Sequence, residues 1–303
     1  MRAKPVTLEQ ELATALDHDD LDAIVAALEK RGSGPAAVGA DPGTANVSEK
    51  RLTSRLIRAH LKDRPGRLSA WCKQLLARPE FNAIEVGLTL LPGIYARDPK
   101  FAQRQLLLQA DSPNWEVREF AGGVAGEILD QHFNEFYPVL KKWALHSSEN
   151  VRRAVVVAAM QAAKANRPRR GSKLLKLLDP LMKDEARYVR VNLGQFAISL
   201  ALLKNYPALT LKWLNKHSLT KNEYARWNVA MVWSAVGGRP YAKEGMRLLH
   251  RLAADDRRLV WRAVAAACVK LGDARPDIVK PLLKKWRGDP KRSRVVEVVN
   301  RYL

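Results

Sequence analysis

The residues of this chain that could do chemistry are tryptophans set beside cations. Lys142-Trp143, Lys212-Trp213, Arg226-Trp227 and Trp261-Arg262 each place an indole next to a positive side chain. An indole face can stack on a base or a sugar while the neighbouring cation holds a phosphate. Trp143, Trp213 and Trp286 also close three near copies of one segment, beginning at Pro138, Pro207 and Pro281. That regularity predicts that most of these rings pack between helices.

The motifs of other chemistries are missing. There is no GxxxxGK[ST], no GxGxxG after a strand, no HExxH and no serine elbow. The histidines at 18, 60, 132, 146, 217 and 250 never fall at metal-ligand spacing. Asp17-His18-Asp19-Asp20 has no second His or Cys cluster and reads as a solvated acidic turn. No metal and no cofactor is expected. An enzyme built on this chain would work with carboxylates, aromatic faces and the bound polyanion itself.

The charge points to that polyanion. The 303 residues carry a net charge of +21, with a sequence pI of about 10.2. Residues 1–50 are acidic, net −4, so the remainder carries +25. A field of that size attracts nucleic acid and speeds its association. Lys164, Arg167, Arg169, Arg170, Lys173 and Lys176 occur within 164–176 with no acid among them. Pro168 and Gly171 make this stretch a loop, suited to phosphate contacts that need charge more than exact base geometry. A second basic cluster spans 284–294.

The elements that must position these residues are repeats. Arg118, Arg152, Arg190, Arg226 and Trp261 recur at spacings of 34, 38, 36 and 35 residues, each at the start of an apolar helix. Asp111, Asp184 and Asp255 open the loops six or seven residues earlier. A period of this size, with aligned apolar positions, predicts antiparallel helix pairs stacked into an all-α, HEAT-like helical-repeat solenoid. Val155-Val156-Val157 follows helical, not strand, periodicity. Earlier helices are predicted over 66–77, 80–96 and 99–110. The prolines at 138, 207 and 281 are expected in first helical turns, where the missing N–H costs nothing.

The expected organisation is an acidic N-terminal helix over 1–31, a flexible Gly/Pro/Ala linker over 32–47 and the helical-repeat domain over 48–303. Leu8, Leu12, Leu16, Ile24 and Leu28 form the apolar set of a single helix, 6–31, and need burial. Ser48 is the expected N-cap of the next helix. Cys72 and Cys268 lie far apart and read as buried small hydrophobes in a reducing cytosol. No apolar run approaches a membrane span, and the acidic start without an apolar core predicts no secretory leader.

The stretch Asn114-Trp115-Glu116-Val117-Arg118-Glu119-Phe120 through Gly126-Glu127-Ile128 resembles the Trp/acid/Gly helix of the bacterial HEAT-like DNA alkylation repair family, the AlkC/AlkD type of DNA glycosylase. Trp143 through Ser148-Glu149-Asn150-Val151-Arg152-Arg153-Ala154 resembles the family's next unit, and Asp184 to Pro207 the one after. The resemblance covers about residues 80–250. It implies a basic surface that grips duplex DNA and a monofunctional glycosylase that releases cationic N3- or N7-alkylpurines with little base flipping. Trp143, Glu119 and Trp115 are then the candidate catalytic residues. Arg118, Arg152, Arg153, Lys164, Arg167, Arg169, Arg170, Lys173, Arg190 and Arg226 are the candidate DNA-binding residues. The chain departs from the family at Ser147, where the carboxylate four residues after the Trp would stand, and at Ile198, where the family often has Arg.

The expected function is duplex DNA binding in alkylation damage repair, by a cytoplasmic monomer, with glycosylase activity as its finer form. The alternative is a non-catalytic helical-repeat scaffold for a protein or RNA partner.

Overall fold

A computed structural model describes residues 6–32 and 44–302. Among the described residues there is helix and no strand. The chain divides into two compact units, 1–131 and 132–303. No described helix is long and apolar enough to cross a membrane.

The first unit contains α1 (Leu8–Asp17), α2 (Leu21–Gly32), α3 (Val47–His60), α4 (Pro65–Leu76), α5 (Phe81–Ile94), α6 (Pro99–Ala110) and α7 (Trp115–Gln131). The single N-terminal helix expected over 6–31 is two helices. Asp19 takes a left-handed φ of 53°, which ends α1, and the Asp20 carboxylate accepts the Ala23 N–H at 2.9 Å to start α2. Leu8, Leu12, Leu16, Ile24 and Leu28 are all buried, where α1 meets α3 and α2 meets α5. Three acids tie the pair down: Asp19 to Arg64 at 3.0 Å, Asp22 to Arg78 at 2.6 Å and Glu29 to Asn82 at 2.7 Å. Of the expected linker, residues 33–43 lie outside the described residues.

Asn46, not Ser48, caps α3. Its side chain accepts the Glu49 N–H and the Glu49 carboxylate accepts the Asn46 N–H, both at 3.0 Å, a reciprocal capping box. The two residues between Asn46 and Glu49 leave Ser48 inside the first turn. Lys50, fully buried, forms ion pairs with Glu85 and with Glu116 at 3.4 Å. This cluster joins α3, α5 and α7, and removing one member would strand a buried charge.

The second unit contains α8 (Phe133–Trp143), α9 (Glu149–Ala162), α10 (Gly171–Leu178), α11 (Arg187–Asn192), α12 (Pro207–Ser218), α13 (Glu223–Met231), α14 (Ala242–Leu252), α15 (Arg258–Ala274), α16 (Pro276–Trp286) and α17 (Ser293–Val299). A π-helical stretch, Leu193–Leu203, continues α11 directly. Val155, Val156 and Val157 are helical and buried in α9. Pro207 starts α12, but Pro138 and Pro281 lie inside α8 and α16. Each is the sixth residue of its helix, so each removes one ladder hydrogen bond. The helices begin earlier because Phe133 and Val279 bury apolar surface upstream of the prolines.

The repeats are fastened twice. Arg152 donates to Asp184 through Nε at 2.6 Å and Nη2 at 3.1 Å, and Arg226 reaches Asp255 through Nε at 3.0 Å. On the other helix of the repeat, Trp213 Nε1 donates to Asp179 at 2.7 Å and Trp286 Nε1 to His250 Nδ1 at 2.9 Å. The predicted helical-repeat architecture is the one observed. Cys72 and Cys268 are free and buried, and burial pushes both thiols up to about 12.

Candidate nucleic-acid interface

The tryptophans differ in exposure. Trp143 is 5% exposed and meets Phe136 edge-on, with centroids 5.9 Å apart. Trp213 and Trp286 are buried as well. All three close the same segment and all three pack. Trp115 is 42% exposed. It is the first residue of α7, whose first turn is fixed by Asn114: its side-chain oxygen accepts the N–H groups of Glu116 at 2.8 Å and Val117 at 3.2 Å.

Glu119 lies four residues after Trp115 and Gly123 four after Glu119, so the three share one face of α7. No atom of another element lies within 4 Å of the space a Cβ on Gly123 would fill. The face therefore presents an open ring, a carboxylate and bare backbone in succession. Trp115 and Glu119 share a helix face of the first unit, and Trp143, in the second unit, is a packing residue of α8.

The stretch expected to be a loop over 164–176 is a loop only at its start. Residues 168–170 form a 3-10 turn, and α10 begins at Gly171 because Leu174, Leu175, Leu177 and Leu178 are buried. Tyr206 holds the remainder. Its hydroxyl accepts the Lys164 N–H at 3.1 Å and lies 2.9 and 3.2 Å from the carbonyls of Lys164 and Arg167. Asn205 donates to the Ala163 carbonyl at 2.9 Å. Arg170 lies over the Phe133 ring at 4.8 Å and Lys173 at 5.6 Å. Lys164, Arg167, Arg169, Lys173 and Lys176 are exposed. The result is an ordered cationic platform, with its phosphate-seeking charges outward. The Tyr206 clamp carries no local sequence signal, since it acts 39 to 42 residues away.

The repeat-start arginines are mostly engaged within the protein. Arg118 donates to the carbonyls of Ser112 and Pro113 at 2.7 and 2.9 Å. Arg152 adds the carbonyls of His146 and Ser147 to its Asp184 pair, and that hydrogen-bonded pairing raises the basicity of its guanidinium. Arg153 is buried, over the Tyr188 ring at 5.0 Å and bonded to Asn192 at 3.3 Å. Arg226 is paired with Asp255. Burial alone would raise the Asp255 carboxyl, but the Arg257 hydrogen bond and the Arg226 charge outweigh it and hold it below the usual carboxylate range. Arg190 lies over the Tyr224 and Trp227 rings, and among the described residues no acid pairs with it.

Among the described residues no group of His, Cys, Asp or Glu is arranged to hold a metal ion. Ser147 is exposed and Ile198 fully buried, so neither position carries the charged side chain that the resemblance implies there.

No curated protein matches the sequence. Among solved structures, the chain is similar to the X-ray structure of YibA from E. coli, at 15% identity and a TM-score of 0.41, over 99% of both chains. It is also similar to importin beta crystallised with ammonium sulfate, at 12% identity and a TM-score of 0.45, over 96% of this chain and 42% of that one. A family model described as "DNA alkylation repair enzyme" matches residues 43–228, which is more than half of the chain and includes α7, the 164–176 platform and Arg190. The chain belongs to the DNA alkylation repair enzyme family.

Proposed function

We propose that the chain binds alkylated duplex DNA and releases cationic N3- or N7-alkylpurines as a monofunctional glycosylase. The observation that carries this reading is the exposed Trp115 one helical turn from Glu119, with open backbone at Gly123 beyond. An alkylated purine bears a positive charge, so its glycosidic bond breaks with both electrons going to a base that leaves neutral. What remains is an electron-poor sugar. An aromatic face and a carboxylate stabilise such a cation. Glu119 then accepts a proton from the water that attacks C1′, which leaves an abasic site. The protein needs no general acid for a leaving group that is already cationic.

The outward cations of the 164–176 platform supply the phosphate contacts of this reading. Held by Tyr206 and Phe133, they lose less conformational freedom on binding than a mobile loop would.

The deciding experiment is incubation with duplexes that carry N7-methylguanine or N3-methyladenine, followed by assay of the free base. Release by the wild type, abolished or sharply reduced in Glu119→Gln, supports the reading. Tight binding to these duplexes without release from either would replace it with a non-catalytic scaffold.

A further inference from the structure

The joints between successive repeats of the second unit can be compared position by position. At two of them an arginine at a repeat start meets an aspartate from the next loop: Arg152 with Asp184, and Arg226 with Asp255. Those aspartates stand six residues before the repeat-start positions Arg190 and Trp261. Six residues before Arg226 stands Thr220, whose hydroxyl donates to the His217 carbonyl at 3.1 Å.

The arginine left without an aspartate is Arg190. Among the described residues no acid pairs with it, and its Nε and Nη1 have no hydrogen-bond acceptor. The guanidinium lies over Tyr224 at 4.6 Å and Trp227 at 5.1 Å, and the side chain is partly open to solvent. A guanidinium does not give up its proton, so the charge persists without a counter-ion. Sheltered donors without acceptors are unfavourable and favour any acceptor that arrives. The two rings fix the plane of the group without neutralising it. Nε and Nη1 are shielded, which leaves the Nη2 end of this fixed, uncompensated guanidinium as the donor that an arriving oxyanion meets.

We propose that Arg190, released from the inter-repeat ladder by Thr220, is a dedicated grip for one backbone phosphate of the DNA duplex. This rests on the DNA-binding reading above. The test measures duplex affinity against salt, and melting, for the wild type, Arg190→Gln, Thr220→Asp and the double variant. Thr220→Asp supplies the missing carboxylate. Melting should rise by about 2 °C. Affinity should fall about tenfold, the equivalent of one charge-assisted hydrogen bond. The salt slope should shrink by about one. Arg190→Gln should weaken binding equally without the rise in melting, and Thr220→Asp should add nothing to it. If Thr220→Asp weakens binding as much without Arg190 as with it, the cause is added negative charge and the proposal is overturned. If the wild type shows no salt-dependent duplex binding, the DNA reading fails. The oxyanion site is then judged by thermal stabilisation with inorganic phosphate at constant ionic strength: more in wild type than in Arg190→Gln upholds it, and equal stabilisation overturns it.

Discussion

Arg152 and Asp184 form a two-point ion pair, 2.6 and 3.1 Å, between the start of one repeat's second helix and the loop of the next repeat. Arg152 also closes its own loop on the His146 and Ser147 carbonyls. One side chain therefore sets both the turn within a repeat and the joint to its successor. Arg152→Ala leaves Asp184, 9% exposed, without its charge partner. Loss of one member of such a pair is expected to cost about 3 kcal/mol. Chemical denaturation should show that loss, while the protein that remains folded binds DNA with nearly wild-type affinity. A large affinity loss at unchanged stability would make Arg152 a DNA contact.

The pH dependence of the corresponding joint at Arg226 follows from Asp255. Its carboxyl lies below the ordinary carboxylate range when folded, through Arg257 and Arg226, despite burial. A group whose folded value is depressed contributes stability at higher pH, and that contribution disappears as the pH falls from the unfolded value, near 3.9, through the folded one. Melting measured from pH 6 to pH 3 should therefore fall, and Asp255→Asn should flatten that fall while lowering melting at pH 6. A variant that keeps the wild-type slope would place the acid sensitivity elsewhere.

The outward cations and the packed ones should behave differently. Arg167 and Arg169 are exposed, and Arg170 lies over Phe133. Replacing Arg167 and Arg169 by Ala should reduce the salt slope of duplex binding by about two, without a change in melting. Arg170→Ala should lower melting, because it removes packing as well as charge. Equal effects on melting from all three would mean that the platform is structural.

Much of this was legible in the sequence, for identifiable reasons. The 34- to 38-residue period is written in covalent spacing, so Val117-Arg118, Val151-Arg152 and Val189-Arg190 announce helical repeats before any packing is known. The regular placing of Trp143, Trp213 and Trp286 correctly marked packing residues. What could not be read was pairing at a distance. Whether Arg152 faces a phosphate or Asp184 depends on how the next repeat lands, 32 residues on. The helix break at Asp19 depends on a left-handed backbone that Asp tolerates without demanding it. The 164–176 stretch read as a loop because Pro168 and Gly171 are local signals, whereas its anchors, Tyr206 and Asn205, are remote.

Trp143 and Trp115 offer a direct contrast. Trp143 is buried against Phe136 and Trp115 is open. Trp143→Ala should cost about 3–5 kcal/mol of stability through the cavity it leaves. Trp115→Ala should leave melting almost unchanged and lower base release by at least about tenfold, roughly 1.4 kcal/mol of barrier. A folded Trp115→Ala protein with full activity would remove this ring from the mechanism.

Glycine within a helix is usually unfavourable, because it carries more freedom in the unfolded chain than alanine does. Most buried helical glycines are kept by packing: at Gly87 an added Cβ would come within 2.9 Å of Leu76. Gly123 has no such neighbour within 4 Å, yet it lies on the face of Trp115 and Glu119. Gly123→Ala should therefore stabilise the protein, by about 0.5–1 kcal/mol. If the open backbone accommodates the approaching sugar-phosphate, Gly123→Leu should fold normally and lose both duplex affinity and base release. Gly123→Ala should then show a smaller loss than Gly123→Leu, since a methyl group intrudes less than an isobutyl group. Undiminished binding and release in a folded Gly123→Leu protein would show that DNA does not pass over this face, and would remove Glu119 from the reaction with it.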